Sequence, residues 1–119
     1  MTKRELIDIC LKFENVYEDY PFDTGATAAP ESWAVIRHIE NRKSFALIYV
    51  MFGKLRVNLK CEPAEADFLR NVFYGVIPAY HMNKNKWNTV EIDSDVPHQE
   101  LLRQIENSYN LTKEKRCSI

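Results

Sequence analysis

The sequence has few cysteines and no long apolar run, and both shortages exclude whole classes of protein. Its three cysteines, Cys10, Cys61 and Cys117, are widely separated in a chain of 119 residues. An odd, unpatterned set argues against a disulfide framework and against a four-ligand zinc site. No apolar segment approaches the roughly 20 residues that cross a bilayer, and no signal-peptide pattern opens the chain. We therefore expect a cytoplasmic protein without a membrane segment.

Motifs for catalysis and for metal binding are also missing. No serine or cysteine stands in a nucleophile motif, and the three histidines lack the spacing of metal ligands. His81 beside Tyr80 could act as an acid–base group, but a lone histidine in a loop more often only forms hydrogen bonds. An acidic group lies between Glu14 and Asp23, and groups of this kind are usually solvated. We expect no enzymatic activity, no metal and no other cofactor.

Charge is distributed unevenly along the chain, although the formal net charge is only −1. Residues 35–88 contain nine basic and four acidic side chains, whereas the segments on both sides are acidic. This distribution is compatible with a local anion-binding surface. A solvated surface of mixed charge would give the same distribution, because blocks in a sequence need not form patches on a surface.

The densest polar segment of the chain lies within residues 75–92. Between Tyr80 and Asn88, only Met82 is plainly apolar. Such a run of amide, cationic and aromatic side chains is hard to explain as core, and its composition differs from that of a flexible linker. Lysine binds phosphate, while asparagine and aromatic rings contact and stack on bases. This composition therefore favours a nucleic-acid-binding segment.

Hydrophobic periodicity predicts three helices and four or five strands. Thr2 and Glu5 form a capping box that starts a first helix over residues 3–14. The remaining elements are predicted as strands at 33–40, 45–52, 55–60, 76–79 and 87–92, and as helices at 63–72 and 97–113. This order indicates a single α+β domain over residues 1–119, with an antiparallel sheet and helices packed on one face.

Residues 55–60 show the clearest strand pattern, in which leucine and valine alternate with Arg56, Asn58 and Lys60. A period of two predicts one buried face and one solvent-exposed, cationic face. The alternation in the last strand likewise predicts that Trp87 points away from the side on which Val90 is buried.

Several segments resemble the MmcQ/YjbR family with compatible spacing over nearly the whole chain. They are DYPF at 19–22, RVNLKCEP at 56–63, PAYHMNK at 78–84 and WNTV at 87–90. The resemblance implies a fold similar to the bacterial frataxin (CyaY-like) architecture. The family is described as DNA-binding by analogy with the double-wing domain of a phage transcription factor. Ala79 and Lys86 depart from the family pattern, which usually has glycine and often has histidine at these positions.

We predict a monomeric, non-catalytic protein that binds DNA or another nucleic acid through the polar strand face and the loop at 78–88. Without a helix-turn-helix or zinc-finger signature, sequence-specific reading of the major groove is not expected. The alternative is a structural or protein-interaction domain, in which the asparagines bond the loop's own backbone and Trp87 covers the core edge. The candidate binding residues are Arg56, Asn58, Lys60, Tyr80, His81, Asn83, Lys84, Lys86, Trp87 and Asn88.

Overall fold

The computed structural model describes residues 1–22, 32–80 and 82–113. In these ranges the chain forms three helices and six strands. Their bounds are α1 Lys3–Leu11, β1 Val16–Asp19, β2 Ala34–His38, β3 Ser44–Met51, β4 Lys54–Lys60, α2 Pro63–Val72, β5 Val76–Pro78, β6 Trp87–Glu91 and α3 His98–Thr112. The strands form one sheet in the order β1-β2-β3-β4-β6-β5, and every pairing is antiparallel. The predicted α+β class is confirmed.

The capping box at the start of α1 is confirmed. Thr2 Oγ1 accepts a 3.1 Å hydrogen bond from the Glu5 amide, and the Glu5 carboxylate accepts one from the Thr2 amide. The helix ends at Leu11, three residues before the predicted end, and Asn15 has a positive φ of 57° shortly before β1 begins. Strand β1 was not predicted, because its four residues are all only half-buried and their partners in β2 lie 16 to 22 residues away.

The three helices cover one face of the sheet and enclose the main core. Val57 and Leu59 of β4 and Val90 of β6 point into this core, where Ile105 of α3 is fully buried. The position of Val90 confirms that Trp87 lies on the opposite face. Helix α2 has the predicted bounds, with Pro63 in its first turn, where a missing amide donor costs nothing.

The opposite face of the sheet, which we call the second face, is buried at its centre. Tyr49, Asn58 and Thr89 each have 0% of their surface exposed. Trp33 stacks on Tyr49 with ring centroids 4.0 Å apart. The prediction that Asn58 lies on a solvent-exposed face is therefore wrong. Strand β4 is central in the sheet, so its polar positions face side chains from both neighbouring strands.

None of the helices among the described residues combines the length and the apolar character needed to cross a membrane.

Candidate nucleic-acid interface

One end of the sheet brings together cations that are distant in sequence. The turn at residues 39–43 joins β2 to β3, and the pairing of β3 with β4 places this turn at the end where β4 finishes at Lys60. Lys60 pairs with Trp87, so the loop at 83–86 that leads into β6 lies there too. We call this region the basic end. Its exposed and half-buried cations are Arg42, Lys43, Lys60, Lys84 and Lys86.

No ion pair to a described carboxylate neutralises any of the five cations of the basic end. Many cations elsewhere are paired, as in the 2.9 Å contacts of Arg4 with Glu18 and of Arg103 with Glu65. Glu40 and Glu62 are exposed carboxylates near the basic end, and they offset only part of its charge. The basic end therefore keeps a local positive potential in a chain whose net charge is −1.

The side chain of Arg70 on α2 fixes the position of the loop at 83–86 through hydrogen bonds. Its Nε donates to the Asn88 side-chain oxygen at 2.6 Å, and its Nη2 donates to the Trp87 carbonyl at 3.3 Å and to the Lys84 carbonyl. A planar guanidinium can satisfy several acceptors at fixed angles, which a lysine cannot do. The loop is therefore tied at both ends to a helix of the main core.

The loop also forms a turn of its own around Asn83. The Asn83 side-chain oxygen accepts from the Asn85 amide at 2.9 Å, and its carbonyl accepts from the Lys86 amide at 3.1 Å. Asn83 is thus used for local structure, as the alternative interpretation of the sequence expected. Lys84 and Lys86 remain exposed on this turn.

Two candidate amides are buried and bonded within the protein. Asn58 accepts from the hydroxyls of Tyr49 at 2.9 Å and Thr89 at 2.6 Å, and donates to the Tyr80 carbonyl at 3.0 Å. Asn88 is 1% exposed, receives the bond from Arg70 and donates to a carbonyl of α2 at 3.2 Å. Neither amide faces solvent, where it could contact a base.

The other candidates divide between the two ends of the second face. Trp87 lies at the basic end and is half-buried, while Tyr80 is 41% exposed with its ring centroid 6.2 Å from that of Trp33. Arg56 lies further along β4, where its side chain is 12% exposed and 3.3 Å from Glu91. His81 lies outside the described residues. The structure thus brings Lys60, Lys84, Lys86 and Trp87 together and separates Arg56 from them.

Sequence reasoning missed Arg42, Lys43 and Arg70. The first two stand in a turn that was predicted, but only the sheet register shows that this turn lies beside the end of β4. Arg70 lies on a helix, and nothing in its local sequence indicates that it reaches the loop 14 residues further on.

Two described carboxylates are paired with arginines, and two described thiols are buried. Hydrogen bonds from Arg4 hold the pKa of Glu18 below its ordinary 4.5, and Asp19 is 2.8 Å from Arg37. No group of three or more possible metal ligands occurs in the described ranges. Burial raises the pKa of Cys10 to about 12 and that of Cys61 to about 11, so both thiols stay protonated near neutral pH.

Comparison with known proteins places the chain in a family. A family model described as YjbR matches residues 11–111. The chain belongs to the YjbR family. A curated relative, YyaQ of Bacillus subtilis, is 32% identical over 105 residues, which cover 80% of this chain and 84% of YyaQ. YjbR of Escherichia coli is 28% identical over 124 residues, covering 98% of this chain and 95% of that protein.

Solved structures show the same fold as this YjbR-family chain. A crystal structure of a Pseudomonas syringae protein superposes with a TM-score of 0.82 at 30% identity, covering 95% of this chain and all of that one. A Deinococcus radiodurans protein superposes with a TM-score of 0.78 at 28% identity, covering 96% of this chain and 80% of that one. The names and titles of these four proteins assign no activity.

Proposed function

We propose that this YjbR-family protein is a non-catalytic nucleic-acid-binding protein that uses the basic end, and that single-stranded DNA is its preferred ligand. The observation that carries the proposal is the convergence of five cations, none of them paired with a carboxylate of the described ranges, from two loops and a strand end beside the half-buried Trp87. Phosphates require such unneutralised cations, because binding depends on releasing the counterions that surround the nucleic acid.

The spacing of the basic end suits several successive phosphates. Two to three strand intervals separate the turn between β2 and β3 from β6, which at about 4.8 Å each gives roughly 10–14 Å between the two cationic loops. Phosphates are about 3.4 Å apart along the axis of a duplex strand and further apart along an extended single strand, so this span covers at most about four of them.

Two features favour a single strand over a duplex. The five cations of the basic end stand on loops and on a strand end, and none of them belongs to a helix that could carry it into a major groove. Trp87 is half-buried beside these cations, and a base that stacks on such a ring contributes about 1–3 kcal/mol.

Fluorescence anisotropy with labelled single-stranded and duplex DNA at several salt concentrations tests the proposal. If three to five phosphates are contacted, the logarithm of the affinity should fall with the logarithm of the salt concentration with a slope of roughly −2 to −3.5 for a single strand. Trp33 and Trp87 emission should change with the same saturation curve.

Charge-reversal variants test whether binding depends on the basic end or only on the overall charge of the protein. Lys84→Glu combined with Lys86→Glu should abolish most binding without changing the melting temperature, because both side chains are exposed. Lys86→Glu alone should weaken binding, whereas the matched Lys12→Glu, an exposed lysine at the end of α1, should leave it nearly unchanged. Equal effects of the two single variants, or unchanged binding by the double variant, would refute the proposal.

A protein-interaction role is the second candidate, and a different surface favours it. Phe68 and Val72 are four residues apart on α2 and are 62% and 50% exposed, and nearby Tyr74 is 96% exposed. Exposed apolar groups of this kind mark many protein contacts. If wild-type protein fails to bind DNA at low salt, this surface becomes the better candidate. We propose that the free protein is a monomer, which light scattering tests directly.

A further inference from the structure

A polar depression lies on the second face of the sheet, next to the basic end. It has a volume of about 550 Å³ and is lined by Tyr17 and Asp19 of β1, Arg37 of β2, and Ile39 and Arg42 of the turn that follows. We call it the Arg37–Arg42 pocket. Two arginines and one aspartate line it, so the formal charge of its lining side chains is +1.

Two hydrogen bonds fix Arg37 in this pocket. Its Nε donates to Asp19 at 2.8 Å, and its Nη1 donates to the Arg42 carbonyl at 3.0 Å. Its side chain is 25% exposed, and no hydrogen bond within the described protein occupies its Nη2 donors. The guanidinium is therefore oriented in advance, with donors left for a further acceptor.

Arg42 occupies a backbone conformation that an arginine adopts at a cost. Its φ is +61°, in the left-handed region that favours glycine or asparagine, and its amide donates to the His38 carbonyl at 2.9 Å to close the turn. Its side chain is exposed and has no ion pair with a described carboxylate. Among the described residues, no hydrogen bond or ion pair of the Arg42 side chain offsets this backbone cost.

We infer that the Arg37–Arg42 pocket binds a phosphate monoester, either the terminal 5′-phosphate of a nucleic-acid strand or the phosphate of a free nucleotide. The unused donors of Arg37 and the exposed guanidinium of Arg42, a residue that lines the same pocket, suit a group with three acceptor oxygens. Tyr17 and Ile39 supply a less polar wall for the attached sugar and base. The strand-end form of this inference rests on the proposed function, because Arg42 is also part of the basic end, whereas the free-nucleotide form does not.

The test compares 3′-labelled oligonucleotides that carry either a 5′-phosphate or a 5′-hydroxyl group. Wild-type protein should bind the 5′-phosphorylated strand roughly five- to tenfold more tightly, as expected for added charge-assisted hydrogen bonds. A titration with nucleoside monophosphate, followed by NMR, tests whether a free nucleotide binds the pocket. Binding should shift the amide resonances of residues 37–43.

Arg42→Gly is the informative variant, because glycine removes the guanidinium and suits the left-handed backbone. It should erase the preference for the 5′-phosphate and should fold at least as stably as the wild type. Lys43→Gln is the matched control, since Lys43 is an exposed cation of the same turn that does not line the pocket. It should weaken both oligonucleotides equally and preserve the preference.

The outcomes distinguish this inference from the proposed function. Nucleoside monophosphate binding that Arg42→Gly removes, without any oligonucleotide binding, would support the pocket and refute the proposed function. Equal affinity of the wild type for both oligonucleotides, together with no saturable shift by nucleoside monophosphate, would refute the pocket. A 5′-phosphate preference that survives in Arg42→Gly would refute it as well.

Discussion

Arg70 on α2 donates a 2.6 Å hydrogen bond from Nε to the side-chain oxygen of Asn88 on β6. This contact joins the helix to the strand directly below the loop that carries Lys84 and Lys86. The same guanidinium also donates to the main-chain carbonyl of Lys84 in that loop and to the carbonyl of Trp87, which directly follows the loop. The position of the exposed lysines is therefore set by a side chain from another element, and this relationship leads to the first prediction.

Arg70→Lys should lower both stability and nucleic-acid affinity. A lysine cannot replace the three directed contacts, and the buried Asn88 would keep an unsatisfied oxygen at a cost of about 1–3 kcal/mol. Urea unfolding measures the first effect and DNA anisotropy the second. Arg103→Lys, an arginine in surface ion pairs on α3, should change the free energy of unfolding by less than about 1 kcal/mol. A loss for Arg70→Lys no larger than this would contradict the assigned role.

Asn58→Ala should destabilise the fold by about 1–3 kcal/mol, because two buried hydroxyls and a carbonyl would each lose one hydrogen-bond partner, and the hydroxyls would keep their 3.3 Å contact with each other and the bond from the Tyr80 amide. Thermal or urea unfolding measures this cost. The exposed Asn110→Ala serves as the control and should be neutral or slightly stabilising, since alanine is the better helix former. If Asn58→Ala unfolds at the wild-type urea concentration, the buried network contributes little.

Phe52→Asn should stabilise the β3–β4 hairpin by about 1 kcal/mol. Phe52 and Gly53 have φ values of 52° and 73°, which define a two-residue turn that favours Asn-Gly, and Phe52 is 89% exposed. Phe52→Ala keeps the backbone strain and should give no comparable gain. A higher urea midpoint for the alanine variant than for the asparagine variant would show that the exposed ring, and not the backbone, limits stability.

Stability should fall as the pH decreases below about 6.5, because of His38. Burial lowers the pKa of His38 below its ordinary 6.5, and its ring lies 2.8 Å from the Thr112 hydroxyl. The unfolded chain binds a proton first, so this contribution is complete above pH 6.5 and is lost as the pH falls toward the folded-state pKa.

Urea unfolding at several pH values between about 7.5 and about 5 measures this slope. His38→Gln should flatten it, whereas the exposed His98→Gln should not. Glu18 and Glu100, whose pKa values are held below the ordinary 4.5 by Arg4 and Arg103, add a further loss only at lower pH. An unchanged slope in His38→Gln would rule out this histidine as the cause.

Local signals in the sequence predicted most of the elements. The capping box at Thr2, the proline at the start of α2 and the alternation in β4 each depend on neighbouring residues, and each gave an element near its observed place. Strand β1 was not predicted, because its pairing with β2 is a contact between segments that are distant in the sequence. The same limit explains the error at Asn58, because alternation separates two faces but does not show what covers the second one.

The candidate site was only partly predictable for a related reason. The composition of the loop at 83–86 indicated exposed cations, and Lys84 and Lys86 are exposed. Sheet register adds Arg42 and Lys43 to them and separates Arg56 from them. Asparagines that looked alike in the sequence have different uses, since Asn88 is buried against α2 whereas Asn83 closes a turn.

The contacts from Arg70 to the loop have a consequence for protein engineering. Two of them end on the main-chain oxygens of residues 84 and 87, which every amino acid possesses. The backbone path of the loop therefore depends largely on Arg70, a residue outside the loop. The side chains at positions 84 and 86 can be exchanged while the scaffold keeps its shape. New recognition sequences could be grafted there and selected for binding to other ligands, with α2 left untouched.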